Sequence, residues 1–157
     1  MKEGALPPDP WLDRHARRLL SSYFRWLKIP LLDSPVRPGE EFWRLYNADA
    51  VIVSHGTQAD PVFNFASRRA LELFETTWDE FTRLPSRMSA EPVEQSERKR
   101  LLEAVQRYGY VDDYQGIRVS SKGRRFYIPR ATVWNVIDEN GVYAGQAAMF
   151  RTWRFLK

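Results

Sequence analysis

The chain has 157 residues, with 24 Lys and Arg against 20 Asp and Glu, a formal net charge of +4, two His and no Cys. That length suits one domain with at most an appendage. The missing cysteines exclude disulfides, Cys-based zinc sites, thiol nucleophiles and thiol-linked cofactors, and they fit a reducing compartment. Six Trp, seven Tyr and nine Phe make 14% of the chain, enough bulky apolar surface to fill a core. No apolar run approaches the ~18 residues of a membrane span, and the start, MKEGALPPDPW, has no apolar signal region. A cytoplasmic location is expected. The positive charge permits an anionic partner without demanding one, because both signs run throughout.

Pro7, Pro8 and Pro10 make the first stretch extended. Asp9 or Pro10 then opens an amphipathic, basic helix of about 18 residues, with Leu12, Ala16, Leu19, Leu20, Tyr23 and Leu27 on one face. Trp11, Phe24 and Trp26 widen that face and favour packing against protein, either this domain or a second copy. Pro30–Gly39 reads as a linker and Glu40–Asn47 as a short amphipathic helix or turn. The spacing places a boundary at 47/48: residues 1–47 as a helical extension with a Pro-rich linker, and 48–157 as the main domain.

That domain opens with a strand at Ala50–Val53 and a second at Val62-Phe63. Asn64 is expected to cap a helix striped by Ala66, Ala70, Leu73 and Phe74. Thr77-Trp78-Asp79-Glu80 is a capping box for a short helix ending before Pro85. Pro92–Tyr108 is helical by pattern, with Leu101, Leu102, Val105 and Tyr108 on one face, i,i+4 pairs Glu94–Arg98 and Glu103–Arg107, and Gly109 as the stop. A strand around Ile117 and Val119 follows, then a turn at Lys122-Gly123. A long aromatic strand, Arg125–Ile137, carries Pro129 at an edge or a bulge. Asn140-Gly141 is a hairpin turn, and the last strand runs from Val142 to Trp153. Two early and three late strands make one five-stranded antiparallel sheet, with the intervening helices on one face: an α+β layout with room for a cavity between helices and sheet.

This order is that of the PAS sensor fold, and the residues carry the likeness further. Ser54-His55-Gly56-Thr57, Asp60-Pro61-Val62-Phe63-Asn64-Phe65, Ala70-Leu71-Glu72-Leu73, Pro85-Ser86-Arg87 and Ala90-Glu91-Pro92 occur in order. Tyr114, Gly116-Ile117-Arg118, Gly123-Arg124-Arg125-Phe126, Trp134-Asn135 and Gly145-Gln146-Ala147 follow. In these segments, spanning about residues 50–148, the chain resembles the MEKHLA-domain family. This is a PAS-related group found in bacterial stand-alone proteins, the kind expected here, and at the end of some plant homeodomain-leucine zipper factors. The naming hexapeptide, Met-Glu-Lys-His-Leu-Ala, is absent, and Ser67 stands where many relatives carry Asn. The resemblance implies a PAS-like fold with a sensing or interaction role, and no settled ligand or reaction.

The absence of Cys removes thiol-adduct flavin and thioester chromophores. No His lies on the helix that usually supplies a haem ligand, which disfavours haem. The cofactor is unassigned, a non-covalent flavin being compatible with Gln146, whose amide both donates and accepts. The pocket candidates are Leu102, Ile117 and Trp134 as apolar walls, with Asn64, Arg118 and Gln146 as polar groups. Ala144, Gly145, Ala147 and Ala148 leave room for a ligand or for close packing. Ser54 and His55 are adjacent, so on a strand they face opposite ways and do not form an acid–base pair. Arg87, Arg118, Arg124 and Arg125 either gather around an anion or pair with Glu91, Asp112 and Asp113. Two isolated His and no calcium-loop spacing leave no metal site, and no residue is assigned as catalytic.

The expected function is therefore a non-enzymatic sensor or protein-interaction module. It would act as a homodimer through the N-terminal helix, with a small-molecule ligand and a separate signalling protein as partners. Two alternatives stand beside it. One is a small enzyme using His55 and arginines. The other is a single-stranded nucleic-acid binder, against which the dispersal of Lys and Arg among carboxylates argues.

Overall fold

The structure is a computed structural model that describes residues 9–90 and 95–157. Expectations placed on Pro7, Pro8, Glu91, Pro92 and the Glu94–Arg98 pair lie outside the described residues. The first helix, α1 (Pro10–Leu27), starts as its sequence demands. Asp9 caps it by accepting from the Trp11 N–H at 2.9 Å, and Pro10 occupies the first turn, where a missing N–H costs nothing. It ends at Lys28, which adopts a left-handed φ of 64°. A loop leads to α2 (Glu41–Tyr46).

The sheet is built from β1 (Val51–His55), β2 (Phe63–Ala66), β3 (Tyr110–Val119), β4 (Arg125–Ile137) and β5 (Tyr143–Phe150). Its order is β2-β1-β5-β4-β3, antiparallel throughout, so the two early strands join the three late ones as expected. The chain beyond β5 does not continue that strand. It reverses, and β6 (Arg154–Phe155) pairs with the first part of β4 at Phe126 and Tyr127.

This division explains Pro129. On one side, β5 pairs with β4 from Thr132 to Ile137 and β6 pairs at Phe126 and Tyr127, leaving Pro129 between the two. On the other side, the β3 register shifts between Tyr114 and Gly116. A residue without an N–H is therefore accommodated in an interior strand at a bulge, not at a sheet edge.

Between β2 and β3 lie α3 (Arg68–Phe74), α4 (Trp78–Phe81), a 3-10 turn (Ser86–Ser89) and α5 (Gln95–Tyr108). Thr77 caps α4 as its motif predicts, accepting from the Glu80 N–H at 3.2 Å. The expected cap at Asn64 is corrected: Asn64 lies inside β2, and Ser67 caps α3. Ser67 is fully buried, and its hydroxyl also accepts from the Ile52 N–H at 3.0 Å and donates to the Ala50 carbonyl at 2.8 Å. One side chain thus starts α3 and ties it to β1. The apolar face expected for α5 is narrower than read: Val105 is buried, whereas Leu102 and Tyr108 are exposed by 51% and 59%.

The two faces of the sheet carry different helices. Strand alternation sends Ser54, Trp134 and Val136 to one face and Val53, His55 and Val133 to the other. On the first face lies α1, burying Ala16, Leu19 and Tyr23. Its ring of Tyr23 meets Trp134 edge-on at 5.0 Å. The Ser22 hydroxyl donates to the Ile137 carbonyl and accepts from its N–H at 2.9 Å. Phe42, Leu45 and Tyr46 of α2 enter the same core cluster, so residues on both sides of position 47 share one apolar interior.

Candidate functional site

The second face of the sheet does not close completely. A cleft of about 660 Å³ opens between the sheet, α3, the 3-10 turn and α5. This volume is within the roughly 300–1,000 Å³ usual for small-molecule sites. Its apolar wall comes from Val53, Phe74, Leu101, Ile128, Val133 and Phe150. Ala131 and Ala148 also line it, and their short side chains keep its floor open.

Three expected site residues line this cleft: Leu102 at its mouth, Arg118 and Gln146. Three lie elsewhere. Trp134 is fully buried on the opposite face, against Tyr23 of α1. Asn64 belongs to a buried network with Ser54. Ile117 pairs with Tyr127 and is not part of the cleft lining. For Asn64 and Ile117 the physical reason is register: Asn64 sits at the shift opposite Ser54 and His55, and two shifts in β3 precede Ile117. Trp134 takes the α1 face by plain alternation in β4, where one position exchanges the faces. Asn135, next to Trp134, faces the α5 side of the sheet, where it meets Gln146 and stays outside the cleft lining.

The polar end of the cleft is His55 and Gln146, paired across β1 and β5, with Asn135 of β4 in register behind Gln146. The Gln146 amide donates to Asn135 Oδ1 at 3.4 Å. Asn135 Nδ2 donates to the Val105 carbonyl of α5 at 3.2 Å, and the Asn135 carbonyl accepts from Trp26 Nε1 of α1 at 2.8 Å. Asn135 therefore links Gln146 of the cleft lining to the helix that covers the cleft and to the helix behind the sheet. Its Asn-Gly-free strand context hides this role in the sequence, because each partner is at least 11 positions away.

His55 lies beside Gln146 in the cleft. Burial, and then the nearby Arg118 charge, lower its pKa below the ordinary histidine value, while a hydrogen bond from Nδ1 to the Gly56 carbonyl at 2.9 Å opposes the shift. The imidazole is consequently neutral at pH 7, with Nε2 as its basic nitrogen. Arg118 reaches Ser89 Oγ and Tyr114 Oη, each at 3.5 Å, and its guanidinium lies 5.9 Å from the Tyr114 ring centroid.

The four arginines considered for an anion site are not gathered. Arg87 and Arg118 line the cleft, and Arg87 is paired with Asp60 at 3.1 Å. Arg124 lies over the Phe155 ring at 3.4 Å. Arg125 starts β4, opposite Val119.

A serine–histidine contact does exist, but with the distant His15. His15 Nε2 is 2.8 Å from Ser54 Oγ, which donates to Asn64 Oδ1 at 2.5 Å. The order is His–Ser–Asn, with the hydroxyl proton directed to the amide and the imidazole N–H donated to the hydroxyl. A nucleophile needs its proton directed to the base, and Ser54 and His15 are only 1% and 3% exposed. This is a buried strut between α1, β1 and β2. Burial lowers the His15 pKa to about 4, with the Arg18 charge adding to the shift. Trp11 stacks on the ring at 4.6 Å.

Among the described residues no group of three or more His, Cys, Asp or Glu is arranged to hold a metal ion, and no helix is long and apolar enough to cross a membrane.

The sheet order, the crossing helices and the cleft between them define a PAS-like fold. The PAS domain of a protein from Colwellia psychrerythraea matches with a TM-score of 0.58 at 14% identity, over 73% of this chain and 92% of that one. The light-state dimer of the fungal blue-light photoreceptor Vivid matches with a TM-score of 0.59 at 14% identity, over 95% and 98%. An RNA-binding light-oxygen-voltage receptor matches with a TM-score of 0.61 at 17% identity, over 77% and 36%.

The MEKHLA-domain family model matches residues 13–155, and the chain belongs to that family. It is 33% identical over 114 residues to the Arabidopsis thaliana homeobox-leucine zipper protein ATHB-9 and 32% identical over 118 residues to ATHB-14. Those stretches cover 70% and 72% of this chain, but only 13% and 14% of the plant proteins. The family match begins within α1, in keeping with the helix being packed into the common core.

Proposed function

We propose that the chain is a non-enzymatic sensor module whose cleft takes up a small molecule and whose helices report its presence. The observation that carries this reading is the 660 Å³ cleft inside a PAS-like fold, apolar along its wall and polar at one end. In this reading residues 48–157 form the sensing domain and residues 1–47 the arm that passes on its state. Asn135 supports that route, since a ligand that pulls on Gln146 acts through it on Val105 of α5 and Trp26 of α1. Among the described residues, no base within reach of an activated nucleophile favours an enzyme. A cytoplasmic location and a separate signalling partner complete the proposal. So does a homodimer formed along the outer side of α1, where Phe24 is 54% exposed.

Cleft filling tests it. An Ala148→Leu variant places a larger side chain in the cleft. Small molecules retained by the native wild-type protein, detected by native mass spectrometry, should be lost from the variant while its circular dichroism is unchanged. Equal retention by the two proteins, or no retained or added small molecule in wild type, rules the sensor reading out.

A further inference from the structure

Resting on the cleft reading above, we infer that the ligand is an apolar monocarboxylic acid, its carboxylate held by Arg118 and its body by the wall of Phe74, Ile128, Val133 and Phe150. The cleft contains one cation that is not balanced by the described residues. Asp60 and Arg87 line it together and neutralise each other at 3.1 Å. His55 is neutral at pH 7, and Tyr143, whose pKa burial raises, carries no charge there. Arg118 remains, half-buried, and among the described residues it forms no ion pair with a carboxylate. Other arginines do: Arg17 with Glu41, Arg18 with Glu139, Arg69 with Asp49 and Arg130 with Asp112.

The contacts that Arg118 does make are neutral hydroxyls at 3.5 Å, the outer limit of a hydrogen bond. A guanidinium beside apolar walls gains most from a planar oxyanion that takes two parallel N–H donors and replaces lost water. A carboxylate has that shape. A phosphate monoester carries a larger charge at neutral pH and calls for a second cation, but the other cleft arginine is already paired. The width of the apolar wall, against a single charged group, argues for a ligand with one anionic end and an apolar body. Gln146, held by Asn135, places an amide at the same polar end.

The test titrates the folded protein with 3-phenylpropanoate and decanoate, and with the matching neutral amides, by calorimetry and by NMR of the His55 ring. The acids should bind at least tenfold tighter than their amides. Arg118→Gln should weaken the acids by roughly tenfold to a hundredfold, the range of a charge-assisted pair, and leave the amides unchanged. Arg118→Lys should fall between the two, and Arg124→Gln, at a residue over Phe155 and outside the cleft lining, should stay within about twofold of wild type. Bound acid should also raise the His55 pKa, because its charge offsets that of Arg118, whereas bound amide should not. If Arg118→Gln fails to fold, the acid-to-amide ratio in wild type and the Arg118→Lys protein decide. Acids and amides binding equally overturn this inference and leave the cleft reading standing. Acid affinity unchanged in a folded Arg118→Gln protein does the same. No binding of any acid or amide at millimolar concentration overturns both.

Discussion

His15 gives α1 a pH-dependent hold on the sheet. Its ring is 3% exposed, stacked under Trp11 and joined to Ser54, and its pKa falls from 6.5 to about 4 on folding. Between those values the unfolded chain binds the proton and the native protein does not, so stability rises with pH across that window. The contribution is complete above pH 6.5 and is lost as the pH falls toward 4. For these two pKa values the loss between pH 7 and pH 5 is about 2 kcal/mol, and about 3 kcal/mol at the acid limit. With a urea dependence of roughly 2 kcal/mol per molar, the wild-type midpoint should drop by ~1 M between pH 7 and pH 5 relative to a His15→Gln control. His55 contributes with the same sign but is present in both proteins, so the difference isolates His15. The measurement is urea unfolding at several pH values, followed by tryptophan fluorescence, with the His15 ring titrated by NMR. A wild-type-to-variant difference that stays constant from pH 7 to pH 5 would show the argument to be wrong. So would a ring that titrates near 6.5.

Two further substitutions probe how the helices are fixed. Gly109 has a φ of +84°, and a Cβ there would strike the indole of Trp26, so Gly109→Ala should cost about 2–4 kcal/mol from backbone strain and forced withdrawal of α1. A urea midpoint within error of wild type contradicts that packing. Ser67→Ala removes a buried hydroxyl that caps α3 and bonds to both Ala50 and Ile52. It should lower stability by about 1–3 kcal/mol in the same assay, with Ser67→Thr restoring part of the loss.

The elements of this protein are written locally. Asp9 before Pro10, Thr77 before Glu80 and Asn140-Gly141 each act within a few residues, and each marks a boundary that the fold uses. The alternation and the Gly and Asn turns of the last third also carry the antiparallel strands. MEKHLA-type residues in order, spread from Ser54 to Ala147, point to the family that the comparison with residues 13–155 shows.

What is not local is which side of the sheet each side chain serves. Trp134 and Asn135 are neighbours with opposite fates: one is buried behind the sheet against Tyr23, and the other braces Gln146 and joins α1 to α5. Register shifts in β1 and β3 move residues between faces, and pattern alone leaves such a shift invisible. Ser54 and His55 are likewise separated by the pleat, and the histidine that Ser54 meets is 39 positions away.

The missing cysteines and the +4 charge set limits that hold for any fold of this chain, because they depend on composition alone. That Arg118 has no carboxylate partner among the described residues while Arg87 pairs with Asp60 is a fact of tertiary structure. It arises from distances between residues that are 27 or more positions apart, and only the closed sheet brings them within reach.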